Sequence, residues 1–343
     1  MCSPGNGSLA VGIQPTAFSF TRDIIKNAMK KIITTTASYS DTVANTDLKD
    51  KLAAEGVEVV LHYDFGNPLP FEAGDVFAIV AGHTPKGEML YISAEVAKKF
   101  PNLKVVSPFG IGTNHLDLEG LKGMGLPIVT VPHFSKRTVA ELAMANLFAM
   151  ARRLVQQTVA IRGGEWKRQN GATINGKTLG ILGLGSIGKE MAKLGKALGM
   201  NVVGYDVVYD EAFMKEFGIE HADVDTVVKT ADFLTLHVPF LPETGNLLNR
   251  DRVNSMKKGA FLINVARGEV IDEKAVLEAL ESGQLAGAAI DVFSKEPPFQ
   301  DPTLAKLVAH PNVIATPHVG AFTPETRYAI ADFICKELVP YTQ

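Results

Sequence analysis

The segment from Asn175 to Asp206, NGKTLGILGLGSIGKEMAKLGKALGMNVVGYD, constrains the fold more than any other part of this chain. Asn175-Gly176 is a turn signal, and Thr178 to Leu182 is a short apolar run suited to a buried strand. Gly183-Leu184-Gly185-Ser186-Ile187-Gly188 then spells G-x-G-x-x-G. Ile187, Met191, Leu194 and Leu198 recur on one helical face, and Gly199 stands where a helix end requires positive φ. A second strand, Asn201 to Tyr205, runs into Asp206, eighteen residues past Gly188. The glycine motif alone is a weak signal. With a strand before it, a helix after it and an acid at the end of the next strand, it has the full context of a dinucleotide-binding turn. Gly185 admits a pyrophosphate, Gly188 lets helix meet strand, and the helix N-terminus faces the phosphates with its positive dipole end. Asp206 can accept ribose hydroxyls and repels a 2′-phosphate. Val207 and Val208 follow it with no adjacent cation, so NAD is favoured over NADP.

At 343 residues, 46% of them hydrophobic, the chain has length for two ordinary domains and the apolar content for large cores. A net charge of −3 and pI near 6.3 give no electrostatic case for nucleic acid or anionic membrane as partner. No apolar run reaches membrane-spanning length. Cys2 and Cys335 form no disulfide framework, so a reduced, cytoplasmic setting is expected. Residues 1–30 read as an N-terminal extension, Gly/Ser/Pro-rich at Cys2 to Ser8.

Ahead of the glycine turn, strands are expected at Lys31–Thr36, Val57–Leu61, Val76–Val80, Leu103–Ser107 and Ile128–Val131. Helices are expected at 47–55, 91–100 and 118–123, with Ser93 as an N-cap. Strands alternating with helices imply a parallel, doubly wound sheet. Phe109-Gly110-Ile111-Gly112 directly follows a strand; it is either an anion-binding nest fit for a carboxylate or a plain turn. Ser135 to Val155 reads as one long helix, apolar nearly all round and therefore buried, followed by a segment carrying Trp166; both suggest a subunit contact. After the turn, strands are expected at 232–238, 260–265, 285–293 and 313–316, with helices opened by Asp272 and by Thr323-Pro324.

Ligands of open α/β sheets sit beyond the carboxyl ends of the strands. The polar residues at those ends are His237, Arg267, Asp291 with Glu296, and His318. Arg267 can grip a carboxylate in a bidentate fork, and His318 can exchange a proton near neutrality. A hydride carrier, a carboxylate clamp and an acid/base imidazole together meet the needs of 2-hydroxy-acid oxidation. Taken singly, each also suits a structural role: Arg267 in a surface ion pair, Glu296 as a solvated loop acid, His318 as a satisfied buried histidine. His237 reads as structural and near the cofactor. His62, His83, His115, His133, His221 and His310 show no ligand spacing, and no metal site is expected.

The blocks GLGSIGKEMAK, HVPFLPET, INVARGEVIDE, LAGAAIDVFSKEPP and TPHVG, in this order, resemble the D-isomer-specific 2-hydroxyacid dehydrogenase family, its phosphoglycerate dehydrogenases most of all. The resemblance implies two α/β domains with doubly wound parallel sheets: a Rossmann NAD domain, residues 134–317, inserted into a flavodoxin-like substrate domain, residues 31–133 and 318–343. It implies catalytic roles for Arg267, Glu296 and His318, with Glu296 orienting His318. It implies NAD contacts at Gly185, Ser186, Ile187, Gly188, Asp206, Val238, Val265, Ala266, Arg267, Asp291, His318 and Gly320. The substrate loop falls on Phe109, Gly110, Ile111 and Gly112, together with Arg267. Two departures qualify this: the loop Ala81–Pro85 lacks the arginine that phosphoglycerate enzymes commonly carry, though Lys86 or His83 could substitute, and the sequence ends at Gln343, where no regulatory domain is expected. Glu296, not glutamine, speaks against the formate dehydrogenase branch. The expected function is NAD-dependent interconversion of a small D-2-hydroxy acid and its 2-keto acid by a homodimer. The alternatives are hydroxypyruvate/glyoxylate reductase-type specificity and an NAD(H)-sensing, corepressor-like binding protein.

Overall fold

The computed structural model describes residues 29–343, so the extension expected over residues 1–30 lies outside it up to residue 28. Two parallel sheets form, one on each side of a cleft. The first has four strands, β1 (Lys30–Thr34), β2 (Val57–Leu61), β3 (Val76–Ala81) and β4 (Val105–Pro108), in the order β2-β1-β3-β4. The second has seven: β5 (Thr178–Leu182), β6 (Asn201–Tyr205), β7 (Glu220–His221), β8 (Phe233–Leu236), β9 (Ala260–Asn264), β10 (Leu285–Ile290) and β11 (Val313–Ala315). Their order, β11-β10-β9-β8-β5-β6-β7, is the doubly wound pattern of a Rossmann sheet extended by one strand. Strands such as β3 and β8 are buried along their whole length, because helices cover both faces of a parallel sheet; hence their unbroken apolar sequence.

The chain leaves the first sheet, builds the second, and returns. The last helix, Pro324–Leu338, buries Ile330, Ile334 and Leu338 among Ile32, Tyr39 and Leu52 of the first sheet's core. Thr323 caps it, its hydroxyl accepting from the Thr326 N–H at 3.3 Å. No helix among the described residues is long and apolar enough to cross a membrane.

Several expectations change. The helix expected over 135–155 is two helices, Lys136–Ala151 and Leu154–Arg162, broken at Arg153, whose φ of 51° is left-handed. Only one face of the first is buried, through Val139, Ala143, Leu147 and Met150. The second leaves Leu154, Val159 and Ile161 exposed. The strand expected at 128–131 reduces to a single bridge between Ile128 and Val106. Helices Ala37–Ala44, Glu211–Phe217, Val224–Thr230, Arg250–Ser255 and Pro302–Ala309 are not among the expected elements; they are short.

The glycine turn behaves as its sequence requires. Gly183 has a φ of 96°, and a Cβ on Gly188 would overlap the Gly183 carbonyl oxygen, so the helix Ser186–Ala197 sits tightly on β5. Gly188→Ala is therefore expected to destabilise the chain by about 1–3 kcal/mol, the cost of overpacking a tight contact, read as a lower midpoint in denaturant unfolding.

Candidate active site

The carboxyl ends of both sheets face one cleft, and β5 and β8 flank the point where the order of the larger sheet reverses. Along β9, Asn264 is fully buried; its Nδ2 donates to the Arg267 carbonyl at 2.9 Å and its Oδ1 accepts from Ala266 N–H at 3.1 Å. The turn that presents Arg267 is thereby fixed by a side chain inside the core. Gly268 lets this turn close on the next one, since a Cβ there would strike the Phe293–Ser294 backbone. Burial pulls the Arg267 guanidinium below its ordinary value, against the opposing pull of Glu296 and Glu269; it stays charged. Across the cleft its Nη2 lies against Gly112, in the loop after β4, so the expected substrate loop Phe109–Gly112 does meet Arg267.

Two carboxylates organise the other side. Asp291, at the end of β10, is almost completely buried. Its oxygens accept from Thr316 Oγ1 at 2.6 Å, Val319 N–H at 2.8 Å and Gly320 N–H at 2.9 Å, and its carbonyl accepts from His318 N–H at 2.8 Å. This clamp holds His318 at a φ of 53°, a left-handed conformation that costs a non-glycine residue about 1–3 kcal/mol. Glu296 stands on the loop after β10, where Ser294 donates to Glu273 through both its N–H and its hydroxyl. Glu296 Oε1 accepts from Phe293 N–H at 3.0 Å, and its Oε2 is 2.9 Å from His318 Nδ1. Burial alone would raise the Glu296 carboxyl, but the hydrogen bonds from His318 and His83 outweigh it and hold the group well below the usual carboxylate range.

His83 is the residue that the sequence did not single out for catalysis. Its Nε2 lies 3.0 Å from the same Glu296 Oε2, and its ring centre 5.0 Å from that of His318. Its signal is positional: it follows β3, at a carboxyl end of the first sheet, where the rule for ligand placement holds as well as it does in the second. Metal-type ligand atoms of His83, Glu296 and His318 lie within 4.8 Å of one another, a closeness the two hydrogen bonds account for. His115 nearby is buried and pushed down to about 4, chiefly by desolvation, with the charges of His83 and Arg267 adding to it; it is neutral at pH 7.

The residues expected to contact a cofactor lie in and around the second sheet. Among the described residues no atom lies within 4 Å of a Cβ built on Gly185, while Val238, Val265 and Ala266 are buried at the ends of β8 and β9. Ser186 Oγ lies 3.1 Å from His133 Nδ1, and Ile187 packs half-buried against the core. A cavity of about 680 Å³ is lined by Leu184, Gly185, Lys189, Asp206, Val208, Tyr209, Asp210 and Glu211. Asp206 Oδ1 accepts from the N–H groups of Val207 and Val208, which fixes the carboxylate at the cavity wall. His237 is wholly buried and pushed down to about 3 by desolvation; its Nε2 meets Thr235 Oγ1 at 3.0 Å and its Nδ1 has no partner among the described residues. An open glycine turn and an acid on the wall of an adjoining cavity fit a dinucleotide.

The depressed Glu296 value has a thermodynamic consequence with a definite sign. The stability it confers is full above the carboxyl's unfolded value of about 4.3 and is lost as pH falls toward the folded one. Glu296→Gln is therefore expected to be less stable than the wild type at about pH 6, with the gap narrowing toward about pH 3.5, measured by urea unfolding at both.

Residues 144–320 match the NAD binding domain of the D-isomer specific 2-hydroxyacid dehydrogenases. The chain is 40% identical over 250 residues to the D-3-phosphoglycerate dehydrogenase of Methanocaldococcus jannaschii, covering 72% of this chain and 47% of that one. It is 39% identical over 238 residues to the hydroxypyruvate reductase of Thermotoga maritima, covering 69% and 76%. The crystal structure of D-lactate dehydrogenase from Aquifex aeolicus, complexed with NAD and lactic acid, superposes with a TM-score of 0.75 at 26% identity, covering 91% of this chain and 95% of that one. The match spans about half the length of the D-3-phosphoglycerate dehydrogenase. From the Rossmann sheet order, the glycine turn and these matches together, the chain belongs to the D-isomer specific 2-hydroxyacid dehydrogenase family.

Proposed function

We propose that the chain is an NAD-dependent oxidoreductase that interconverts a small D-2-hydroxy acid and its 2-keto acid, with chemistry like that of phosphoglycerate dehydrogenase. The observation that carries this reading is the 2.9 Å pairing of His318 Nδ1 with the ionised Glu296, in the cleft where Arg267 meets the loop Phe109–Gly112. Nicotinamide, when bound, supplies or receives the hydride. The remaining steps belong to the protein. Arg267 forks onto the substrate carboxylate and draws on the carbonyl oxygen, with backbone N–H groups of Phe109–Gly112 beside it. With Nδ1 tied to Glu296, His318 has Nε2 left to give a proton to the carbonyl oxygen, or to take one from the hydroxyl. Glu296 stays charged throughout and compensates the imidazolium. Gly185, Ser186, Ile187 and Gly188 would hold the pyrophosphate and Asp206 the adenosine ribose. Val238, Val265, Ala266, Asp291 and Gly320 would lie on the nicotinamide side.

This reading takes residues 31–133 with 318–343 as the substrate domain and 134–317 as the cofactor domain. It takes the active form as a cytoplasmic homodimer, supported by the exposed apolar side chains Leu154, Val159, Ile161 and Trp166 on one continuous stretch. A second reading, hydroxypyruvate or glyoxylate reductase-type specificity, draws on the loop Ala81–Pro85, which has no arginine for a phosphate and presents His83 instead.

NADH oxidation with phosphohydroxypyruvate, hydroxypyruvate, glyoxylate, pyruvate and sulfopyruvate separates these readings. Turnover on at least one is expected; NADH binding with no turnover on any would make the chain a sensor of the cofactor. His318→Ala is expected to lower kcat by roughly 10²–10⁴-fold, the usual scale of general acid–base help, whereas Arg267→Ala should chiefly raise KM for the keto acid. Asp206→Ala should narrow the preference for NADH over NADPH, read from the ratio of their kcat/KM values.

A further inference from the structure

We propose that His83 is a positioning residue: it reaches across the cleft from the first sheet to place a second hydrogen bond on the oxygen of Glu296 that orients His318, and so sets how strongly Glu296 holds the His318 imidazolium. The inference rests on the acid/base reading of His318 given above. Both imidazoles meet Oε2, at 2.9 and 3.0 Å. An ionised carboxylate only accepts, so each ring nitrogen is a donor there. Two donors on one oxygen divide its charge between the two imidazoles.

The bond crosses the cleft. His83 stands on the loop after β3, whereas Glu296 and His318 follow β10 and β11 of the other sheet. The loop is well defined: Thr84 N–H donates to the Glu88 carbonyl at 2.8 Å, Gly87 N–H returns to the Thr84 carbonyl at 2.9 Å, and a Cβ on Gly87 would touch Pro297 at 3.7 Å. The loop tip therefore lies against the residue next to Glu296. His115 after β4 feels the charges of both His83 and Arg267 and is neutral at pH 7, Arg267 after β9 in turn feels Glu296 and Glu269, and Lys86 and Glu88 on the His83 loop are exposed. The site is complete only when the two sheets close on one another.

The sign of the effect follows. Without the His83 donor, more of the Glu296 charge falls to His318, and the imidazolium persists to higher pH. The test is the ring titration of His318, followed by NMR with nitrogen-15-labelled histidine in the full-length protein and assigned with His318→Gln. In His83→Phe the His318 midpoint is expected to rise by about half a unit to one unit, the shift equivalent to one hydrogen bond of ordinary strength. His83→Gln, which keeps an N–H within reach of Oε2, should fall between wild type and Phe. If the Phe variant does not fold, His83→Ala carries the same expectation. A midpoint that is unmoved or lower in the Phe or Ala variant overturns the proposal, as does a larger rise with Gln than with Phe. Where turnover is measurable, the pH profile of kcat for keto-acid reduction should shift the same way. The NMR readout needs no substrate. A shifted midpoint in a protein without turnover would leave His83 in its role and remove the dehydrogenase reading; an unmoved midpoint in an active enzyme would do the reverse.

Discussion

A half-buried carboxylate that accepts from two imidazoles is the interaction on which the rest of this site depends. Glu296 is costly to ionise in its loop, and it is ionised because His318 and His83 hydrogen-bond to it. Remove either partner and the balance between desolvation and hydrogen bonding changes. The surrounding structure serves that balance: Glu273 ties down Ser294, the Phe293 N–H occupies the second oxygen of Glu296, and Gly268 allows the Arg267 turn to come close. Asp291 does for the backbone what Glu296 does for the side chains. Its buried charge is matched by two N–H groups and one hydroxyl of the segment carrying His318, and those bonds offset the left-handed strain at that residue. Electrostatics inside the core thus becomes geometry at the cleft.

Much of this could be read from the sequence, for physical reasons that differ by region. The second sheet was legible because its strands are unbroken apolar runs and its turns carry residues with only one use: Gly183 at positive φ, Asp272 capping a helix through Ala275 N–H, Pro324 at a first helical position. Arg267, Glu296 and His318 stood at strand ends, and tertiary structure brought them to one cleft.

What stayed hidden had no local signature. The break at Arg153 lies inside a stretch rich in helix formers, and nothing in its neighbours announces a left-handed residue. The helix Ala37–Ala44, ASYSDTVA, is polar along most of its length, and only Tyr39, Thr42 and Val43 are buried. His83 was legible only as a possible stand-in for the missing arginine, not as a partner of Glu296, because histidine spacing was read along the chain and that partner lies 213 residues away. Asn264, which shapes the Arg267 turn from inside the core, looks in sequence like any asparagine at the end of a strand. These are cases in which packing between distant segments, not local preference, decides the conformation.

The return of the final helix to the first sheet has a consequence for how the molecule is made. The first four strands leave the ribosome early, yet Ile330, Ile334, Cys335 and Leu338 supply part of the core that Ile32, Tyr39 and Leu52 require, and the Tyr39 hydroxyl meets the Cys335 sulfur at 3.3 Å. The seven-stranded sheet between them draws only on neighbouring segments and can consolidate while translation continues. The core of the amino-terminal unit is therefore completed only by Pro324–Leu338, more than two hundred residues after β4.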